Sequence, residues 1–414
     1  MNHVWLINQF SNTPDLPGHT RQFEIAKFLA SKNYKVELYS SDFNLNERKF
    51  RRLGKYNLIL VEKVENVLIN WLWVVPYKKN NWLRKINLIS FCIHLFIRLF
   101  IKAFRNILVR NQKVIIIASS PQLPAAFFSL LIAKIFKIAF ILEVRDLWPQ
   151  ILVDQAGISK KSILYKALLY MEKILYTNAS KIVILAKGLE KEISKKGGKN
   201  IIWLPNGPDL DHFLFSPLPK ENTTFSKKRP FNIIYSGAHG ESNDLINVIK
   251  SAKLLENKPI MFTFVGDGPE KESLVKKAKD LKNVIFMDPV PKKNIAQLLQ
   301  TADAILVSLK DTKLFSYGVS PNKLYDAYAL GRPVITTIPG HINNEVLEYN
   351  LGITSKASDP SSLASAVIKL IGKPRLDREK MGINARLLSE KVYSRQMINF
   401  KYYQILKEIS NMKN

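Results

Sequence analysis

Four consecutive β-branched residues such as Val114-Ile115-Ile116-Ile117 leave a chain few choices. A strand with one solvated face alternates apolar and polar residues, so an unbroken run marks a strand covered on both faces, as in a parallel sheet between helices. The run belongs to a regular alternation. Strand patterns fall over residues 113–118, 138–144, 181–185 and 200–204, with helical patterns over 123–136, 160–176 and 187–196 between them. Ahead of these, a strand over 4–10, a polar loop over 11–18, a helix over 20–31 and a strand over 35–40 make a βαβ opening. The second half repeats the theme, with strands over 231–235, 261–265, 284–287 and 304–307. At 414 residues the chain exceeds one ordinary core. The expected fold class is therefore α/β with two Rossmann-like parallel-sheet domains, residues 1–207 and 231–377. A proline-rich linker over 208–230 joins them, and a helical region over 378–414 is expected to cross back to the first domain.

The charge is large and uneven. Lys and Arg number 62 against 34 Asp and Glu, a net of +28, and residues 1–205 hold 32 and 13 of these, or +19. Such an excess serves nucleic acid, anionic membrane or phosphorylated substrates. A nucleic-acid partner is not expected, because no zinc module, aromatic platform or basic helix of the reading type is present. From Glu65 to Glu143 no acidic residue intervenes. Within that interval Asn87, Ser90, His94, Arg98, Lys102 and Arg105 share one helix face, apolar residues fill the others, and Trp71, Trp73 and Trp82 precede them. The region from Trp71 to Phe104 reads either as a helix lying on an anionic bilayer or as a core helix with a solvated basic face. Arg98 and Lys102 interrupt the apolar run too early for a spanning helix. The single Cys92 excludes an internal disulfide. With no export pattern at residues 1–10, the protein is expected to be cytoplasmic, peripheral on the inner face of the plasma membrane.

The stretch from Ser320 to Ile335 reads as loop, helix, turn and buried strand. Pro321 sets the loop, Asn322 is placed to cap the helix, and Gly331 with Pro333 ends it. A helix start at a strand end is a natural anion site, and Lys323 adds a full charge there. Asp326, one turn on, can accept hydrogen bonds from sugar hydroxyls. An ordinary αβ unit with a charged helix face has the same spacing. Gly18 with His19 opens the first helix and lets a ligand approach the backbone, or serves only a turn.

Taken together, Gly237 and Gly240 after the first strand of the second half, Gly266-Asp267-Gly268-Pro269-Glu270, and the 321–335 stretch resemble the retaining glycosyltransferases of family four, which have the GT-B fold. Leu142-Glu143-Val144-Arg145-Asp146-Leu147-Trp148-Pro149-Gln150 and Gly18-His19-Thr20-Arg21-Gln22-Phe23-Glu24 are similar to the WbuB-like bacterial transferases that build O-antigen or capsule repeat units. The resemblance implies two domains facing a cleft. The second would hold a nucleotide-sugar, most simply a UDP-sugar carrying an N-acetylated deoxyhexosamine such as N-acetyl-L-fucosamine. The first would hold a saccharide on a polyprenyl diphosphate.

In that family's terms Gly237, Gly266 and Gly268 admit the nucleotide, Val290 lies on the loop meeting the base, and Ser320, Pro321, Asn322 and Lys323 hold the diphosphate. Lys323 stabilises the leaving group, and Asp326 takes the ribose hydroxyls. Gly318 replaces a carboxylate eight positions before Asp326. Ala238 and His239 stand near where relatives carry Arg and Lys, which gives His239 a share of the phosphate charge. Arg145 and Asp146 occupy the place of a His-Asp pair, making Asp146 the first candidate to activate the acceptor and Glu143 the second. Pairing with Arg145 to fix the loop is the alternative for both. No metal and no cofactor beyond the donor substrate are expected. The rival readings are a UDP-sugar epimerase on the same fold and a noncatalytic sugar-nucleotide-binding protein.

Overall fold

The computed structural model describes residues 2–15, 20–44, 47–53, 57–79, 82–120, 122–220 and 229–411. The chain divides into two compact units, the first made of Met1–Leu204 with Asn399–Asn414 and the second of Pro205–Ile398.

Unit one runs β1 (His3–Ile7), α1 (Arg21–Ser31), β2 (Lys35–Ser41), β3 (Phe43–Asn44), β4 (Lys49–Phe50), β5 (Ile59–Val64), β6 (Val67–Leu72), α2 (Trp82–Ala103), β7 (Val114–Ser119), α3 (Leu123–Ile135), β8 (Ala139–Val144), α4 (Gln150–Ala156), α5 (Ile163–Asn178), β9 (Lys181–Ile184), α6 (Leu189–Lys195) and β10 (Ile201–Trp203). Its main sheet has the order β10-β9-β8-β7-β1-β2-β6-β5. All pairings are parallel except β5 with β6. The Val114-Ile115-Ile116-Ile117 run is buried at mid-sheet, with helices on both faces. The strand expected over 4–10 ends at Ile7. The hairpin β5–β6 has no counterpart in the sequence reading. Its two-residue turn is Glu65-Asn66, both at positive φ (46° and 66°), in place of the glycine-bearing pairs that usually signal such turns.

Unit two runs β11 (Phe231–Ser236), α7 (Leu245–Leu254), β12 (Ile260–Val265), α8 (Lys271–Lys277), β13 (Val284–Met287), α9 (Lys292–Gln300), β14 (Ala304–Val307), α10 (Lys313–Ser316), α11 (Asn322–Leu330), β15 (Val334–Thr336), α12 (His341–Glu348), β16 (Gly352–Thr354), α13 (Pro360–Ile371) and α14 (Arg375–Leu388). Its parallel sheet has the order β13-β12-β11-β14-β15-β16. The described part of the expected linker is bound into this unit. Arg332 donates to the carbonyls of Ser216 and Pro217, and Arg375 to those of Leu218 and Pro219. The last helix, α15 (Arg395–Asn411), belongs to unit one from Asn399 onward, later than residue 378.

The helix α2 corrects the expectation for its faces. The polar stripe lies inward except for its last member, Arg105, which is exposed. Lys102 bridges to the buried Glu37 of β2 at 2.9 Å, His94 Nδ1 donates to the Trp73 carbonyl at 2.7 Å, and Asn87 donates to the Val75 carbonyl. The outward stripe is apolar, with Ile93 52 % and Ile97 51 % exposed and Ile89, Phe100, Ile101 and Phe104 beside them. The segment Trp82–Val109 is long and apolar enough to cross a membrane by length and composition, yet its inner stripe is bonded to the sheet. Trp71 is no surface anchor. It lies in β6, wholly buried, with its indole N–H donated to Glu62.

Glu143, at the end of β8, holds unit one together. Its buried carboxylate accepts from Arg21 Nε at 3.1 Å, Gln22 Nε2 at 2.7 Å, Ser119 Oγ at 2.9 Å and the hydroxyl of Tyr402 in α15. These partners hold its pKa below the usual carboxylate value against the opposing effect of burial. Arg21→Ala is expected to destabilise the protein by about 3 to 5 kcal/mol, since it strands a buried charge, and Tyr402→Phe by about 1 to 2 kcal/mol. A depressed folded-state pKa means that the Glu143 contribution is complete above the ordinary carboxylate range and is lost as pH falls through the folded value. Urea titrations at pH 7 and in mild acid check both statements: the gap between wild type and Arg21→Ala should shrink in acid.

Candidate active site

Both sheets reverse their strand order at one point, where ligands of open α/β sheets gather beyond the strand ends. In unit two that point lies between β11 and β14. Lys323, in the first turn of α11, sits there. Its ammonium donates to Tyr235 Oη at 2.8 Å and Asn243 Oδ1 at 3.2 Å and lies 3.9 Å from the Tyr235 ring centroid. All these partners are neutral. Burial with no compensating carboxylate lowers its pKa to about 7. Among the described residues no carboxylate is paired with this ammonium, which lies beside the start of a nine-residue helix.

The glycines fix where that ammonium rests. A Cβ on Gly237 (φ 144°) would lie 2.9 Å from Lys323 Nζ. One on Gly266 (φ 143°) would stand 2.0 Å from the Gly237 carbonyl oxygen, and one on Gly268 would strike the His239 backbone at 2.5 Å. Gly266 and Gly268 are thus glycines because two loops pack backbone to backbone. Ligand contact is not needed to explain them.

His239 does not present charge to a ligand here. Its ring is fully buried among Tyr235, Phe264 and Phe286, neither ring nitrogen has a hydrogen bond, and burial lowers its pKa. Of the two residues among which the sequence reading divides the phosphate charge, His239 is turned into the aromatic interior, and Lys323 lies at the strand-order reversal. Asn322 is the first residue of α11 and makes no cap; Pro321 is the N-cap position, without a side-chain bond. Ser320 is occupied structurally: its Oγ accepts from Asn206 N at 2.8 Å and meets Tyr325 Oη at 3.1 Å. Asp326 is half-buried on α11, Val290 is half-buried in the loop after β13, and Gly318 (φ 115°) leaves its place without a carboxylate. Gly18 and His19 lie outside the described residues.

In unit one the reversal lies between β1 and β7, one strand from β8. Glu143, saturated by four donors, has no lone pair to spare for an acceptor. Asp146 contrasts with it. The carboxylate meets solvent, yet the protein around it is dense enough to raise its pKa, with Arg145 pulling the other way. Arg145 is held in place through its backbone N–H to Ser120 Oγ at 3.2 Å. A carboxylate with raised pKa at a strand end suits proton abstraction or hydroxyl orientation. Tyr235, Asn243 and Tyr402 were not legible as site-building residues. Only the alternation placing Tyr235 near the end of β11 hints at its role, and Tyr402 lies 259 positions from Glu143.

The fold is that of the GT-B glycosyltransferases, and the comparisons with known proteins support a glycosyltransferase. Residues 230–373, about a third of the chain, match the family model described as Glycosyl transferases group 1. Over 300 residues the chain is 26 % identical to the probable glycosyltransferase WbjE of Pseudomonas aeruginosa, covering 69 % of this chain and 72 % of that protein. It is 23 % identical over 415 residues to the putative colanic acid biosynthesis glycosyl transferase WcaI of Escherichia coli K12, covering 95 % and 98 %. In fold it is similar to sucrose-phosphate synthase from Thermosynechococcus elongatus (TM-score 0.73, 15 % identity, all of both chains). It is likewise similar to Anabaena HepE in complex with UDP and glucose (TM-score 0.64, 13 % identity, 99 % of both chains).

Lys323→Met should leave thermal stability unchanged or raised, because it removes a desolvated charge with no ionic partner. With the diphosphate role proposed for Lys323, the same change should weaken UDP binding about tenfold to a hundredfold, the worth of a charge-assisted hydrogen bond. Calorimetric unfolding and UDP titration read the two separately; a parallel loss of both would reduce Lys323 to a structural role.

Proposed function

We propose that this protein transfers a sugar from a UDP-sugar to a saccharide carried on a polyprenyl diphosphate, with retention of configuration and without a metal, in bacterial surface-polysaccharide synthesis. The observation that carries the reading is the uncompensated Lys323 at the strand-order reversal of the group 1 domain, a position for a diphosphate. HepE's complex with UDP and the names of WbjE and WcaI support the donor and the biosynthetic setting.

In this reading Lys323 and the first N–H groups of α11 neutralise the departing diphosphate, the largest catalytic contribution. Asp326 takes the ribose hydroxyls, and backbone near Val290 meets the base. Asp146 orients or deprotonates the acceptor hydroxyl. With Gly318 where a carboxylate would grip sugar hydroxyls, the donor is a less hydroxylated sugar, an N-acetylated deoxyhexosamine such as N-acetyl-L-fucosamine. The apolar face of α2 rests on the cytoplasmic side of the plasma membrane, where a polyprenyl-linked acceptor lies.

Incubation with candidate UDP-sugars, with and without a polyprenyl-diphosphate saccharide, tests the assignment. Acceptor-dependent UDP release is expected. Acceptor-independent interconversion of UDP-sugars would make the protein an epimerase, and donor binding without either reaction a noncatalytic binder. Asp146→Asn should lower kcat by about a hundredfold or more with the donor Kd unchanged.

Donor binding should also take up a proton. Free Lys323 titrates at about 7, and a bound diphosphate raises that value. Affinity is therefore flat below pH 7 and falls by up to about tenfold per pH unit above it, until the bound-state pKa is reached. Titration calorimetry in buffers of different ionisation enthalpy reads the uptake, which Lys323→Met should abolish.

A further inference from the structure

Beyond α2 the helix widens into a π-helical stretch, Phe104–Val109, and a cavity of about 790 Å³ opens beside it. Phe100, Phe104, Leu108, Ile135 and Phe136 supply much of its wall. The cavity meets Val114 and Ala139, the first residues of β7 and β8, whereas Asp146 follows the end of β8. The six residues of β8 separate them by roughly 20 Å. This is no part of the site described above.

We infer that the cavity takes one hydrocarbon chain of an anionic lipid, whose phosphate is held by Lys113 and Lys137. Three observations converge. First, Phe100, Phe104, Leu108 and Ile135 are exposed as well as cavity-lining, so the wall continues the outward apolar stripe of α2. Second, the lining contains two exposed lysines and no carboxylate. Third, Gln112 keeps a buried side-chain oxygen with no hydrogen bond in the wall, an acceptor that a lipid glycerol hydroxyl satisfies. The inference deepens the membrane contact proposed above and rests on that reading for its biological sense. A chain withdrawn into protein fixes the position of unit one at the bilayer, which surface adhesion alone does not.

The probe is dodecyl phosphate below its micellar concentration, followed on the full chain by native mass spectrometry and calorimetry. One molecule per chain is expected, with dodecyl maltoside at least about tenfold weaker and butyl phosphate and inorganic phosphate without measurable binding. Lys113→Glu with Lys137→Glu, both at exposed positions, should weaken dodecyl phosphate about tenfold or more while sparing dodecyl maltoside. Ala139→Phe should abolish the one-to-one complex with UDP binding retained, which reports an intact fold. Ile93→Asp with Ile97→Asp, outside the lining, should lose phosphatidylglycerol–phosphatidylethanolamine vesicles yet keep the one-to-one complex. Binding without a saturable first site, equal loss in the Ile93/Ile97 variant, or inorganic phosphate binding as tightly as dodecyl phosphate would overturn the inference. Vesicle binding and UDP release are read independently, so failure of the cavity leaves the transferase and membrane readings standing, and the converse holds.

Discussion

A carboxylate buried in a protein costs several kcal/mol unless its charge and lone pairs are met, and in unit one Glu143 is met four times over. The donors come from α1, from the end of β7 and from α15. The depressed pKa says which effect wins: Arg21 and the hydrogen bonds outweigh desolvation. Two consequences follow. The last helix is tied to a sheet from which its sequence is remote, and the loop leaving β8 starts from a fixed point. Asp146, three residues on, inherits that fixity while keeping its own carboxylate in contact with solvent.

Unit two reverses this logic at Lys323. Here the charge is desolvated and bonded to neutral groups, with no carboxylate paired to it among the described residues, and the pKa falls instead. Glu143 closes the interior of unit one with a matched charge, whereas Lys323 is the poorly solvated cation of the site proposed for a diphosphate. The position of that cation depends on absent side chains. Gly237 yields space to the ammonium, and Gly266 yields space to Gly237, so an alanine at either place displaces the cation relative to α11.

How much of this the sequence carried depends on the kind of signal. The unbroken Val114-Ile115-Ile116-Ile117 run and the helical stretches beside it fix a parallel sheet, because burial on both faces leaves no other pattern. The place of Lys323 at a helix start was legible, and that is where the structure sets it. His239 was misjudged: proximity in sequence to Gly237 does not say which way a side chain turns, and an aromatic pocket made by Phe264 and Phe286 claims the ring. Glu143 looked catalytic for a similar reason, since its four partners lie as far away as residue 402. Gly266 and Gly268 were read as admitting a nucleotide; the tight contact seen at them is between loops.

The helix α2 shows the limit of periodicity in another form. Spacing by three and four gathered Asn87, Ser90, His94, Arg98, Lys102 and Arg105 on one face and assigned it outward; all but the exposed Arg105 face the protein. Period reports that two faces differ; which one is buried depends on what the sheet offers. The buried Glu37 of β2 offers a carboxylate, and the Trp73 and Val75 carbonyls offer acceptors, so the polar stripe goes inward. The apolar stripe is then left in water. Each isoleucine there forgoes part of the roughly 1.5 to 3 kcal/mol that burial would return, and a run of them is an exposed patch of the kind that marks an interaction surface. Exposed Arg84 and Lys85 lie at one end of the stripe and exposed Arg105 and Arg110 at the other. A helix spanning a bilayer would need those ends in opposite headgroup layers, with Lys102 and Glu37 dragged into the hydrocarbon. The proposed membrane contact has no such cost: a helix lying flat, held to the protein by its polar stripe, would let both basic ends reach the same anionic surface.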